Sequence, residues 1–366
     1  MSATTRDAYS LNKLYTSTAE LIHKSGAVRD AVTTSNVTVK KLMEASRLKY
    51  DGGTVIQPAI QYAHNQTIKF YRGLEKFETD PQEFMTGYVL PWAHLGGSIS
   101  IKGTDMRANK GKEKRIDLME REIKALIDGE TELLNRVLWE VDNLQATTHP
   151  YTNDGGRELI GIPLWIQALG STSGGGASTL DMDYDIGGID QSANSWWMNQ
   201  CVDAGGSLTS VSLKKTLSKA YNNCCQRAGG KPNFGVMDQN THELIESSMQ
   251  EQVRYASKDQ ATPGFPSMYY KEAELEWDGY VPDMETSGTN NGPLATGTAL
   301  TKGSIFFINT DTFTLYMGKE ADWSPRGFQD SYDQDGSTCL YMADMQLVCE
   351  NRIKNGVIFD VPLTLS

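Results

Sequence analysis

The sequence predicts an α+β fold, and three observations carry that class. One long amphipathic helix occupies the first half, a strand–turn–helix unit stands in the second half, and the final third is rich in β-formers. From about Lys112 to Val141, the residues Ile116, Met119, Ile123, Leu126, Ile127, Leu133, Leu134, Val137, Leu138 and Val141 recur at spacings of three and four. About 30 residues at about 1.5 Å each make a rod of roughly 45 Å, well beyond the usual globular helix. Gly129 is its weak point, costing about 1 kcal/mol against alanine.

The other elements follow in chain order. Residues 1–50 are Ser/Thr-rich and weakly periodic, with Leu11, Leu14, Leu21 and Ile22 marking one short helix. Such a segment buries little by itself and reads as an arm that packs on something else. Residues 51–104 read as an extended ribbon. Thr67 to Gly73 (TIKFYRG), GYVL and SISIKG (Gly87 to Gly103) are β-rich, interrupted by Asp80-Pro81, Pro91 and Gly96-Gly97. A two-stranded ribbon is marginal in water, so its aromatics Phe70, Tyr71, Phe77, Phe84, Tyr88 and Trp92 need a partner surface. Excision of Ile68 to Val89 is therefore expected to leave the subunit core whole. After the long helix the chain passes through Pro150, Gly155, Gly156 and Pro163 into IGIPLWIQAL and a Gly-rich stretch.

A second module begins near Asp190. A helix is expected from Ser210 to Gln226, with Val211, Leu213, Leu217, Ala220, Tyr221 and Cys224 on one side and Gly229-Gly230 as its stop. Phe234 to Met237 reads as a short buried strand, and Asn240 with Glu243 resembles a capping box for the following helix. Ser304 to Asn309 and Thr312 to Met317 flank Thr310-Asp311 as a hairpin. A second hairpin is expected at Lys354-Asn355-Gly356, since Asn-Gly suits a tight turn.

Composition narrows the function classes. The 366 residues are 39% hydrophobic and 22% charged, which excludes a disordered chain. No run of about 18 apolar residues exists to cross a bilayer, and the N-terminus lacks an apolar signal core, so a non-secreted protein is expected. The 46 acidic and 34 basic residues leave a net charge of −12, unsuited to gripping phosphates. Five cysteines (Cys201, Cys224, Cys225, Cys339 and Cys349) without CxxC spacing read as reduced thiols.

The search for chemistry yields no complete constellation. Asp181, Asp183 and Asp185 alternate as in a calcium loop, but Ile186 and Ser192 stand where glycine and glutamate are required. A solvated acidic turn accounts for them better. Gly174-Gly175-Gly176 lacks the GK[ST] of a phosphate loop, and the histidines show no HxxxH spacing. Arg107, Lys110, Lys112, Lys114 and Arg115 cluster where the helix dipole disfavours cations; meeting carboxylates of a neighbouring subunit, or merely facing solvent, accounts for them better than a nucleic-acid patch. No catalytic residue, cofactor or metal is expected.

The order of elements resembles the major capsid proteins of tailed bacteriophages, the Hong Kong 97 fold. GGIDQSANSWW (Gly187 to Trp197) is similar to a Gly-Gly-Ile-x-Arg-Ser-Thr-x-x-Trp-Trp segment of some members, with Gln191 in place of the Arg. GKPNFGVMDQNTHELI, GSIFFINTDTFTLYM and MQLVCENRIKNGVIFDV are further family-like stretches. The resemblance implies an N-terminal arm (1–50), an extended loop (51–104) and a peripheral domain (105–190) with a spine helix at about 112–141. An axial domain (191–341) and C-terminal strands returning to the peripheral domain (342–366) complete it. It further implies a non-enzymatic virion protein, assembled in the host cytoplasm into pentamers and hexamers of an icosahedral shell. That shell would enclose double-stranded DNA without sequence-specific binding or a membrane, with a separate scaffolding protein and a portal protein as partners. Phe70, Tyr71, Phe77, Phe84, Tyr88, Trp92, Arg107, Lys110 and Lys112 are then candidate intersubunit contacts. Covalent crosslinking through Lys69 or Lys76 has no motif behind it. An encapsulin-like nanocompartment shell and a metal-dependent hydrolase using Asp181, Asp183 and Asp185 are the alternatives.

Overall fold

Near-continuous apolar runs and alternating runs divide twelve of the described strands between two six-stranded sheets, and the remaining two pair as a separate ribbon. The computed structural model describes residues 37–44, 48–65, 67–77, 80–104, 112–139, 159–167, 186–189, 193–205, 208–228, 230–249, 268–281, 302–319, 324–325, 327–330 and 334–364. The first half contains α1 (Val37–Glu44), β1 (Leu48–Asp51), β2 (Ala59–Gln61), β3 (Met85–Gly87), β4 (Ala93–Lys102), α2 (Lys112–Trp139) and α3 (Ile162–Trp165). The middle contains β5 (Gln200–Asp203), α4 (Ser210–Ala228), β6 (Phe234–Met237), α5 (Gln239–Met249), β7 (Met268–Tyr270) and β8 (Ala273–Trp277). The last part contains β9 (Lys302–Ile308), β10 (Phe313–Gly318), β11 (Ser324–Pro325), β12 (Gln329–Asp330), β13 (Gly336–Cys349) and β14 (Gly356–Pro362).

The first sheet runs β1-β10-β13-β11, and β4 and β12 also pair with β13. Alternation sets its faces. Ile99 and Ile101 of β4 are buried with Ile123 of α2, Cys339 and Tyr341, whereas Ser98, Ser100 and Lys102 face out. The second sheet runs β5-β14-β9-β6-β8-β7. Its central strands β6 and β14 are buried along their whole length, the signature of a sheet covered on both faces. Phe307, Ile305 and Ile358 meet Leu213, Leu217 and Ala220 of α4 and Ile245 of α5; Phe306, Ile308 and Val357 share the other core with Trp139 of α2.

Several sequence expectations need correction. The two expected hairpins are crossings between sheets. β9 lies in the second sheet and β10 in the first; β13 lies in the first and β14 in the second. Asn355 has φ −112°, not the positive φ that a two-residue hairpin turn demands. Both crossings are instead one-turn 3₁₀ segments (Thr310–Thr312 and Arg352–Lys354), anchored by buried Thr310, Thr312 and Arg352 and tied to each other. The Asn309 N–H donates to Asn355 Oδ1 at 2.7 Å, and Asn355 Nδ2 donates to Thr312 Oγ1 at 2.9 Å. These side chains satisfy backbone that no ladder reaches, which is why the asparagines sit inside the protein.

The helix α5 is capped by Asp238, not Asn240: the Thr241 N–H donates to Asp238 Oδ2 at 3.1 Å. Val211, expected on the buried face of α4, is exposed. The Thr67–Gly73 stretch forms no strand, since nothing stands beside it to complete a ladder. SISIKG belongs to β4 and pairs with β13, so the ribbon strands are β2 and β3. The expected boundary after Tyr341 falls inside the continuous strand β13. Leu11, Leu14, Leu21 and Ile22 lie outside the described residues.

A polar junction joins the N-terminal helix to both modules. Asp278, just after β8, accepts from Thr38 Oγ1 of α1 at 2.7 Å and from Asn135 Nδ2 and Trp139 Nε1 of α2, each at 3.3 Å. Lys41 of α1 and Glu274 of β8 add an ion pair at 2.6 Å. The Asp278 donors come from two different helices, so one carboxylate positions both against β8.

Candidate intersubunit ribbon and its aromatic root

The ribbon has an apolar root and an exposed tip. At the root, β2 and β3 pair antiparallel with Ile60 opposite Thr86, and Ile56 and Leu90 exchange backbone hydrogen bonds at 2.9 Å. Ile56, Ile60, Tyr88 and Leu90 all belong to the main hydrophobic core. Beyond Tyr62 the ladder ends. Phe70 and Leu74 are fully exposed, at 105% and 103%, and Ile68, Tyr71, Phe77 and Phe84 are exposed as well. Within the tip, Tyr71 and Phe77 make an edge contact at 5.1 Å, and the Lys69 ammonium lies 6.0 Å from the Phe77 ring centre.

The structure thus splits the candidate contact residues. Phe70, Tyr71, Phe77 and Phe84 line the exposed tip. Tyr88 and Trp92 do not; they are buried in the subunit's own core, Tyr88 at 1% exposure. The Tyr88 hydroxyl donates to the Cys349 carbonyl at 2.9 Å, a satisfied core tyrosine. Removing Ile68 to Val89 would therefore take out part of the core. Arg107 and Lys110 lie outside the described residues, as do Asp181, Asp183 and Asp185. Lys112 opens α2.

Sequence reasoning missed the residues that hold the root. Tyr88 packs against Trp197 at 5.2 Å and Trp165 at 6.0 Å between ring centres. Gly187 has φ +69°, and a Cβ there would stand 2.7 Å from Tyr88, so glycine is required both for the turn and for the approach of the ring. Beneath Trp197 sits Arg352, fully buried. Its guanidinium lies 5.6 Å from the ring centre, and its Nε donates to the Trp165 carbonyl at 2.9 Å. Its Nη2 donates to Asn199 Oδ1 at 3.4 Å. Gln346 completes the seating, donating from Nε2 to the Pro91 carbonyl and accepting from the Ile160 N–H, both at 2.9 Å. The signal lay in the sequence: Gly187 and Trp197, the described residues of that family-like segment that meet Tyr88, form the socket of the ribbon.

Burial pushes the Cys224 and Cys349 thiols up to about 12, which removes the thiolate a nucleophile needs. All five cysteines are free thiols. Among the described residues, no group of three His, Cys, Asp or Glu side chains is placed to hold a metal ion, and no helix is long and apolar enough to cross a membrane.

Glu130 is a titrating exception on α2. It is buried against Gly97 of β4, where a Cβ would stand 2.8 Å from its Oε1, and burial raises its pKa to about 7 from 4.5. A carboxyl whose folded pKa is raised adds stability below its ordinary value, and that gain is lost as pH climbs to about 7. Glu130→Gln should then be more stable than the natural chain by about 1–2 kcal/mol at pH 8 and indistinguishable near pH 4. Urea melts at the two pH values check this; equal gains at both would refute it.

Comparison with known proteins adds the architecture. No family model and no curated protein matches this chain. Among solved structures, a chain of the cyanophage A-1(L) capsid asymmetric unit is similar at 13% identity, covering 86% of this chain and 90% of that one, with a TM-score of 0.50. A chain of the empty GTA particle capsid is similar at 9% identity over 87% of this chain and 88% of that one, again with a TM-score of 0.50. This chain has the Hong Kong 97-like fold. The SrpI encapsulin of Synechococcus elongatus PCC 7942 is similar at 10% identity over 87% of this chain and 86% of that one, with a TM-score of 0.45.

Proposed function

We propose that this chain is the major capsid protein of a tailed phage, a structural protein that assembles with copies of itself into an icosahedral head shell around double-stranded DNA. The observation that carries the proposal is the ribbon. Its root is built into the subunit core, whereas Ile68, Phe70 and Leu74 at its tip meet only solvent. Apolar side chains held out on a rooted arm are an aggregation hazard unless another molecule covers them. In a Hong Kong 97-like shell the neighbouring copy provides that cover, and closed rotational symmetry supplies a neighbour for every tip.

The charge supports the same reading. A net charge of −12 lets packed DNA slide along an inner wall without adhering. The subunit carries no catalytic role in this proposal, and scaffolding and portal proteins are its further partners. Electron microscopy of the purified chain, with size-exclusion chromatography beside it, is the test. Closed shells of uniform size are expected. A small oligomer at every concentration would overturn the proposal.

A further inference from the structure

The two strands of the ribbon are held by two adjacent tryptophans, and the two grips differ in kind. Trp196 and Trp197 belong to one 3₁₀ turn, Ser195–Trp197, so their rings diverge, with centres 5.9 Å apart. Trp197 is buried and takes Tyr88, on the β3 side of the ribbon. Trp196 is half-buried and stacks on Tyr62, on the β2 side, with ring centres 5.1 Å apart and planes at 27°.

Tyr62 is the residue at which the ribbon leaves the body. Its N–H donates to the Phe84 carbonyl and its hydroxyl to the Glu83 carbonyl, both at 3.1 Å, so it joins the two strands as they emerge. Trp196 is held in turn, its Nε1 donating to Asn194 Oδ1 at 3.2 Å. The Tyr88 grip is part of the core and decides whether the subunit folds. The Tyr62 grip is half-buried: Trp196 packs on the edge of the main core and stacks on the emerging ribbon, so it decides the direction in which the tip points.

We infer that Trp196 is a positioning residue for assembly: by stacking on Tyr62 it sets the angle of the ribbon and so aims the apolar tip at the neighbouring copy. This rests on the proposed shell function for its consequence, though not for the contact itself. A two-stranded ribbon pivoting on its root by a small angle moves a tip about 10 residues along each limb through several ångströms. Shell closure tolerates little of that, because heterologous contacts that miss the closing angle propagate openly.

The test uses the full chain with Trp196→Ala, Tyr62→Ala and the conservative Trp196→Phe. In isolated subunits, hydrogen exchange at residues 59–62 and 84–87 should accelerate roughly tenfold in both alanine variants while the melt stays cooperative, since losing one half-buried aromatic pair at the edge of the core weakens mainly local closure. In assembly, both alanine variants should give open or irregular structures where the natural chain gives closed shells, and Trp196→Phe should restore closure and slow exchange. Unchanged exchange in the alanine variants would overturn the contact's role in holding the ribbon. Normal shells from them would overturn its role in aiming. Loss of cooperative melting in both would move Trp196 into the core and end the distinction drawn here. Were the natural chain to form no shells at all, the proposed function would fall, and the exchange experiment would still decide whether Trp196 holds the ribbon.

Discussion

A chain in which residues 64–82 are replaced by Asn-Gly should fold normally and form no shells. The register that pairs Gln61 with Met85 continues to Tyr62 opposite Phe84, where the Tyr62 N–H donates to the Phe84 carbonyl at 3.1 Å. Ala63 and Glu83 then stand opposite each other, and a two-residue turn closes the ladder. The cut spares Ile60, Tyr88 and Leu90, which are core, and removes Ile68, Phe70, Tyr71, Leu74 and Phe77, which are exposed. The described residues of the cut are exposed apart from half-buried Thr67, so the unfolding free energy should change by less than about 1 kcal/mol. What disappears is apolar surface available to another copy, and interfaces of obligate assemblies exceed roughly 2,000 Å². Circular dichroism and electron microscopy of one preparation decide the matter. Shells from the shortened chain would remove the ribbon from assembly, and a lost melt would show that the tip supports the fold.

Arg352→Ala is expected to be the most damaging single substitution of those considered, at about 3–5 kcal/mol, the range for breaking a buried charged contact. The side chain has no exposed surface, and it binds the Trp165 carbonyl, Asn199 and the face of Trp197 at once. It also lies in the 3₁₀ turn that carries β13 into β14, so the ribbon socket and the crossing of the two sheets share one residue. Truncation empties a core site and leaves the carbonyl without its donor. Lysine should not rescue it, since an ammonium cannot spread over the ring while its donors reach Trp165 and Asn199. Urea unfolding of the isolated subunit gives the number, and a loss below about 1 kcal/mol would mean that the surrounding aromatics hold without the cation.

Periodicity determined the local elements of this protein. The stripe from Ile116 to Leu138 is enough for a long helix, because one apolar face at spacings of three and four can bury only as a helix. Structure places that helix at Lys112–Trp139, and the Phe234–Met237 strand stands where its apolar run puts it. Local chemistry also marked the ribbon as a segment too thin to bury itself, and its tip is indeed exposed. Tertiary structure alone decided which strands share a sheet. Asn309 to Thr312 and Arg352 to Gly356 carry ordinary turn residues, and a hairpin turn and a buried crossing draw on the same residue types. The choice was made by partners distant in sequence: Asn355 finds Thr312, and the Asn309 N–H finds Asn355. The ribbon's aromatics divide for the same reason. Phe84 and Tyr88 look alike along the chain, but Tyr88 meets Trp197, Trp165 and the glycine gap at Gly187, whereas Phe84 meets solvent. Burial is a property of what arrives from elsewhere in the chain, and no local pattern encodes it.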